Sequence, residues 1–277
     1  MSLRHAWRTL RLWASNLRWF RVLRAWHTDP TNPALLEMLR HRPSITCVTE
    51  RPYVNSAWTP RERLAAIESH YRAVRGPCAF LGFAPESQFD LAVLAADTAR
   101  VRFALEKPEW FVHEGEVTLS LFSGATRIYS LVFLLAARGE TLVARIGALQ
   151  GLGDPRALDI YRDLTRAMHG QRPRQLLTTA FQMLCVCLGI ERILAVEDRY
   201  SMGRNGYFMR TRVHTSYDTA WDELGGTPAG DGFTELPATP SRRAPHEIPA
   251  RKRALYRLRY SMLDDLEAQI FRAVHGR

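Results

Sequence analysis

Between Phe89 and Gly151 the chain passes through five consecutive segments, "LAVLA", "ARVRFAL", "EVTLSLFSG", "RIYSLVFLLAA" and "TLVARIGALQG", each rich in β-branched and aromatic residues. No other feature constrains the fold as strongly. Turns containing Gly, Asp or Glu separate several of the segments, and runs so closely spaced pair as an antiparallel meander. "ARGE" at Ala137 to Glu140 reads as one hairpin turn. The meander ends in "QGLGDP". Two helices are predicted near Pro155 to Met168 and Pro173 to Leu188, Gly189 closes the second, and "IERILAV" follows as a further strand. The resulting fold class is α+β: a central, mostly antiparallel sheet flanked by helices.

A helix is also predicted ahead of the meander. In "TPRERLAAIESHYRAV", Thr59 is the N-cap, Pro60 takes the first helical position, and Leu64, Ile67, Tyr71 and Val74 line one face. Turn-rich "TDPTNP" and "HRPS" bracket a shorter helix around Ala34 to Arg40. Three regions follow: a basic amphipathic helix at 1–27, a helical linker region at 28–58, and a main α+β domain at 59–277. A chain of 277 residues with 46% hydrophobic content can bury a substantial core. Cys47, Cys78, Cys185 and Cys187 show no paired spacing, which points to reduced thiols rather than a disulfide or metal framework.

The net charge of +10 is unevenly distributed, because residues 1–27 carry six arginines and no acid. Leu3, Ala6, Leu10, Trp13, Leu17 and Phe20 share one helical face, opposite Arg4, Arg8, Arg11 and Arg18. With Trp7, Trp13, Trp19 and Trp26 added, the segment suits an anionic membrane surface. It equally suits an apolar stripe packed on the main domain with its arginines in water. Nucleic acid ranks last, since no groove-reading or zinc-finger motif accompanies the charge. No run reaches the roughly 18 apolar residues of a membrane span, and the N-terminus lacks the pattern of a secretory signal. The expected location is cytoplasmic, with peripheral attachment to the inner membrane through residues 1–27.

The stretch "MHGQRPRQLL" places Arg172 and Arg174 around a proline at the start of an apolar helix. A helix N-terminus presents free amides and partial positive charge, so arginines there can complete an anion site. Alternatively, both are solvated or paired with an acid of the chain.

Five ordered stretches, "RPYVNSAWTPRERLAAIESHY", "IGALQG", "LTRAMHGQRPRQLL", "SYDTAWDELGG" and "KRALYRLRYSMLDDL", resemble the signatures of the bacterial VirK/YbjX family across Arg51 to Leu266. That resemblance implies a role in the cell envelope and in virulence, and names no reaction. "RPRQLLTTAFQMLCVCLGIERILAVEDRY" is in turn similar to the phosphate loop, helix and following strand of GNAT-like acyltransferases. This second resemblance implies an acyl-CoA or the phosphopantetheine of an acyl carrier protein as donor and an envelope lipid or protein as acceptor. Gln150, Gly151, Gly170, Arg172 and Arg174 would lie along the donor phosphates. The sequence departs from the acyltransferase pattern: "QGLGDP" supplies only Q-G-x-G, an extra helix intervenes, and "GQRPRQ" has proline where glycine is usual.

Acyl transfer needs a base for the acceptor and a proton donor for the leaving group. His169 beside the arginines is one candidate base, and the alternative is a capping or surface histidine. Tyr217 is a candidate acid with Asp218 to orient it, although Ser216, Asp218 and Trp221 also describe an ordinary helix start. His70 lies beside the apolar face of its helix, where it either enters a cleft or joins the core. No metal-binding motif, P-loop or nucleophile elbow is present. The last helix, "ARKRALYRLRYSMLDDLEAQIFRAV", is expected to bury Leu255, Leu258, Met262, Leu266 and Ile270. Its Arg251, Lys252, Arg253, Arg257 and Arg259 crowd an N-terminal end whose dipole they oppose.

Overall fold

The structure is a computed structural model that describes residues 14–276 apart from 77, 97–98, 139–140 and 205–215. The meander is present as β1 (Phe89–Ala96), β2 (Ala99–Glu106), β3 (Val117–Ser123), β4 (Thr126–Arg138) and β5 (Thr141–Gly151), each antiparallel to the next. The tip of the Ala137 to Glu140 turn lies outside the described residues, but Arg138 pairs with Thr141 across it. Helices α4 (Ala157–Ala167) and α5 (Pro173–Cys187) then carry the chain across one face to β6 (Ile190–Val196), which runs parallel to β5. A short helix α6 (Tyr217–Glu223) leads to the hairpin β7 (Thr227–Gly230) and β8 (Phe233–Leu236), and β8 inserts between β6 and β7. The expected α+β class, with one mostly antiparallel sheet and flanking helices, is the observed one.

Cross-strand partners share a face, so Phe133 and Ile146 point one way and Leu134 and Arg145 the other. On the first face Phe133 meets Phe181 of α5 edge-on at 4.8 Å, and the C-terminal helix α7 (Arg253–His275) packs beside α5. On the second lies α3 (Pro60–Arg75), begun by a full capping box between Thr59 and Glu62. Strand β4 outlasts β3, whose last partner is Phe133. Beyond that point α3 covers the open edge: the Leu135 amide donates to His70 Nδ1 at 3.1 Å and the Ala137 amide to Ser69 Oγ at 2.8 Å.

Helices α1 (Phe20–Thr28) and α2 (Pro33–His41) lie ahead of α3. Residues 1–13 of the amphipathic segment lie outside the described residues. In the rest, Leu23 and Trp26 are buried, with Trp26 Nε1 donating to Glu68 of α3 at 2.9 Å, whereas Leu17 and Phe20 are exposed. The described part of this segment therefore docks one flank on the domain and leaves the other in solvent.

Helix α7 departs from its expected stripe. Leu255 and Leu258 are exposed, and Leu263, Leu266 and Ile270 make the buried line, because only the second half of the helix lies over the sheet. Among the described residues no helix is long and apolar enough to cross a membrane. All four cysteines are free; Cys78 and Cys185 are buried.

Strand β5 bulges at Gly147, since Val132 pairs with Ala148 and Phe133 with Ile146. The Glu114 backbone presses on this bulge so closely that a Cβ at 147 would overlap its carbonyl. Gly147→Ala must displace one of two backbones. It is expected to lower stability by about 2–3 kcal/mol or more in urea unfolding, in the range of overpacked cores.

Candidate active site where two strands part

Among the described residues the sheet has one parallel pair, and it is short. Strands β5 and β6 pair from Leu142 and Ile190 to Ile146 and Ala195; beyond that β5 stays paired with β4 to Gly151, and among the described residues its β6-side edge has no strand partner. Three pieces of chain fill the wedge that opens. The segment 51–58 enters with Val54, at φ 55°, donating its amide to the His113 carbonyl at 2.7 Å. The turn before β3 brings the Glu114 backbone onto Gly147. From α6, the Tyr217 hydroxyl accepts the Leu149 amide of β5 at 3.2 Å.

Two buried carboxyls stand two residues apart in that turn and differ in their surroundings. Glu116 accepts the Tyr53 hydroxyl at 2.6 Å and the Tyr71 hydroxyl at 2.8 Å, which fastens segment 51–58 and α3 to the start of β3. Burial pushes its pKa up, opposed by these two bonds and by the charges of Lys107 and Arg42. Glu114 retains some exposed surface as a residue, yet its carboxyl Oε2 is buried without a hydrogen-bond partner. Burial raises its pKa to about 7, against the backbone amides of Glu114 and His113 that favour the anion. The Tyr217 hydroxyl is pushed well above the usual phenol range by burial, which outweighs the Leu149 bond; the charges of Glu114 and Asp198 add to the rise. A carboxyl that titrates near neutrality suits a general base, and the buried phenol keeps its proton through neutral pH.

Asp198, just beyond β6, fixes the position of Tyr217. Its carboxylate accepts the Tyr217 amide at 2.9 Å and the Ser216 hydroxyl at 2.6 Å, with the Arg204 guanidinium at 3.3 Å. Asp218 returns a bond by accepting the Asp198 amide at 2.8 Å. Asp218 is thus directed at the backbone rather than at the Tyr217 hydroxyl. Ser216 caps α6 as expected, and Trp221 donates to the Val196 carbonyl at 2.8 Å, sealing the end of β6.

The remaining sequence candidates divide into two groups. Gln150 and Gly151 end β5 next to the Leu149 contact, where Tyr161 packs on Gly151 and accepts the Leu152 amide at 2.6 Å. Arg174 forms an ion pair with Glu223 at the end of α6, and Arg172 lies 3.9 Å from the same carboxylate. Of the two readings of these arginines, the structure displays pairing with an acid of the chain. The pair also joins the start of α5 to the helix that carries Tyr217. Gly170, at φ 79°, donates its amide to the Thr165 carbonyl at 2.7 Å and so closes α4. His169, at φ 51°, has its carbonyl held by Arg259 of α7 at 2.8 and 3.0 Å.

His70 stands apart. It is fully buried on α3, across the sheet from α7 and the Arg259 contact, its Nδ1 accepts the Leu135 amide, and burial pushes its pKa down to about 3. The structure therefore brings Tyr217 to the end of β5 beside Gln150 and Gly151, ties Arg172 and Arg174 to the far end of α6 through Glu223, and leaves His70 at a sheet edge. Glu114 and Asp198 went unremarked in the sequence, where each is one acid among many.

On the second face of the sheet, a cleft of about 590 Å³ lies between α3, β5, β6 and the β7–β8 hairpin. The Arg145 guanidinium sits 5.3 Å from the Trp58 ring and 5.9 Å from Phe233. Arg192 lines it too, with two bonds to Glu235 at 2.8 and 2.7 Å. At Gly232, φ 80°, a side chain would strike Tyr200 and Asn55, so the glycine lets the hairpin close on the segment that fills the wedge.

Residues 1–272 match the family described as "Protein of unknown function (DUF535)". The chain belongs to this family. It is similar to the uncharacterized protein YbjX of Escherichia coli (strain K12), with 26% identity over 270 residues that make up 94% of this chain and 79% of YbjX. An uncharacterized protein of Haemophilus influenzae is 33% identical over 139 residues, 49% of this chain and 45% of that protein. Among solved structures, a mutant cAMP-binding acyltransferase from Mycobacterium smegmatis aligns with a TM-score of 0.34 and 15% identity, over 77% of this chain and 62% of that one. That likeness is too distant to argue from.

The Glu114 carboxyl makes a signed prediction. Its folded pKa of about 7 lies above the unfolded value of about 4.3, so between the two the native state binds the extra proton and stability falls as pH rises. Glu114→Gln removes this dependence. The variant should gain stability relative to the parent as pH increases from 5 to 8, measured as the difference in urea midpoints. A difference that stays flat with pH would mean that Glu114 ionises normally.

Proposed function

We propose that this protein is an acyltransferase acting in the bacterial cell envelope, with Glu114 as general base and Tyr217 as general acid. One observation carries the reading: the backbone of Glu114, whose carboxyl titrates near 7, and the hydroxyl of the buried Tyr217 meet β5 at Gly147 and Leu149. Glu114 takes the proton of an attacking amine or hydroxyl, and Tyr217 supplies one to the departing thiolate. The donor is an acyl-CoA or the phosphopantetheine of an acyl carrier protein. Its phosphates engage Arg172 and Arg174 at the start of α5, displacing Glu223. The acceptor is an envelope lipid or protein. Residues 1–27 hold the enzyme on an anionic membrane surface, a reading supported in the described part by exposed Leu17 and Phe20.

A second reading, a non-catalytic protein that binds anionic lipid or an envelope partner, is favoured by the engagement of the Tyr217 hydroxyl with the Leu149 amide. Turnover separates the two. With acyl-CoA or acyl carrier protein and a mixed pool of amine and hydroxyl acceptors, Glu114→Gln is expected to lower kcat by about 10²-fold or more with little change in KM. The parent rate should rise with pH through about 7, as the base loses its proton. Arg172→Ala/Arg174→Ala should instead raise KM. Saturable donor binding without turnover would select the non-catalytic reading, and failure of every donor to bind would remove the acyl-carrier site.

A further inference from the structure

The basic beginning of α7 has no part in the chemistry above. Arg243, Arg253 and Arg257 converge with Tyr256 and Tyr260 around a cavity of about 410 Å³, completed by Pro245 and Ile248. Three guanidiniums repel one another unless anions intervene. Among the described residues none of the three has a carboxylate partner. The neighbouring acids are committed elsewhere: Asp264 and Glu267 to Arg242 at 2.6 and 3.8 Å, and Glu247 to the Ala244 amide at 2.8 Å. Arg253 spends only its Nε, on the Ile248 carbonyl at 3.3 Å, which leaves both terminal nitrogens of its fork available.

The rest of the cavity is shaped as well as charged. Tyr260 is pinned from the loop side, its hydroxyl accepting the Arg243 amide at 2.9 Å, and Tyr256 meets it edge-on at 5.7 Å. Arg259 lies 4.4 Å from the Tyr256 ring and is anchored on His169, so that ring is backed by a fixed cation. Two ordered rings with Pro245 and Ile248 offer an apolar platform beside a planar, multidentate cationic wall. Guanidinium forks match the tetrahedral oxygens of phosphate, whereas an apolar platform does nothing for a bare ion. The cavity also exceeds the size of inorganic phosphate, so a ligand must bring a body with its charge.

We propose that this cavity binds the phosphate of a phosphate ester through Arg243, Arg253 and Arg257, with the ester's apolar or planar body against Tyr256 and Tyr260. The ester is either a free metabolite or the headgroup region of an anionic phospholipid. Leu255 and Leu258, exposed on the same turns of α7, give the second source a route to the site.

The test uses the full chain, phenyl phosphate in titration calorimetry, and co-sedimentation with phosphatidylcholine vesicles with and without phosphatidylglycerol. The variants are Arg253→Gln/Arg257→Gln and the charge-keeping Arg253→Lys/Arg257→Lys, compared at unchanged thermal midpoint. Binding of phenyl phosphate that weakens at least tenfold in the Gln variant, with the Lys variant between, supports a free ester. A tenfold loss confined to phosphatidylglycerol vesicles supports the lipid. The proposal is overturned if the parent binds neither probe, or if all three proteins bind both probes equally, as they would were residues 1–27 or Arg172 and Arg174 the sole anion sites.

Discussion

The pairing of β5 organises much of what surrounds it. Its first half is held by β6 and its second half is not, and backbone amides in a protein interior must find partners. The chain answers with side chains and loops rather than another strand: Tyr217 for Leu149, Tyr161 for Leu152, and the Glu114 backbone set against the bulge at Gly147. Each of these demands a further support. Tyr217 depends on Asp198 and Ser216, Glu114 on the turn fixed by Glu116, and Glu116 on hydroxyls from segment 51–58 and α3. A break in one strand pair thus draws in residues from six other parts of the chain.

The two glutamates of that turn show how position separates structural from reactive carboxyls. Glu116 has both oxygens occupied by phenols, and its role is to hold three segments together. Glu114 keeps some surface as a residue, but its Oε2 is removed from water and lacks a partner, so its charge is expensive and its proton stays on near neutrality. Reactivity in the proposed site comes from an incomplete set of hydrogen bonds at a place where the fold has already committed its backbone.

Positive charge follows a similar division. Arg174, Arg192 and Arg127 are matched by Glu223, Glu235 and Glu106, and Arg42 and Arg259 are spent on carbonyls. These contacts fasten elements to one another and explain part of the arginine content without any ligand. The start of α7 differs because Arg243, Arg253 and Arg257 gather around a cavity and, among the described residues, have no carboxylate partner.

The meander, the capped helix at Thr59, the helix begun at Pro173 and the following strand were legible because each is encoded by local period and capping chemistry. The anion-site and acid-pair readings of Arg172 and Arg174 were both legible too, but local sequence cannot say whether Glu223, 49 residues away from Arg174, arrives to pair. His70 illustrates the same limit: its flank position was visible, whereas its duty to a strand edge depends on β4 outlasting β3. Glu114 carried no signal, since an acid before a strand is ordinary until a bulge in another strand buries it. The sequence by itself determined the order and type of the elements, which depend on neighbours a few residues apart. Only the tertiary structure decided which carboxyl lost its water and which cations lost their partners, because desolvation and charge pairing are set by segments that meet through space.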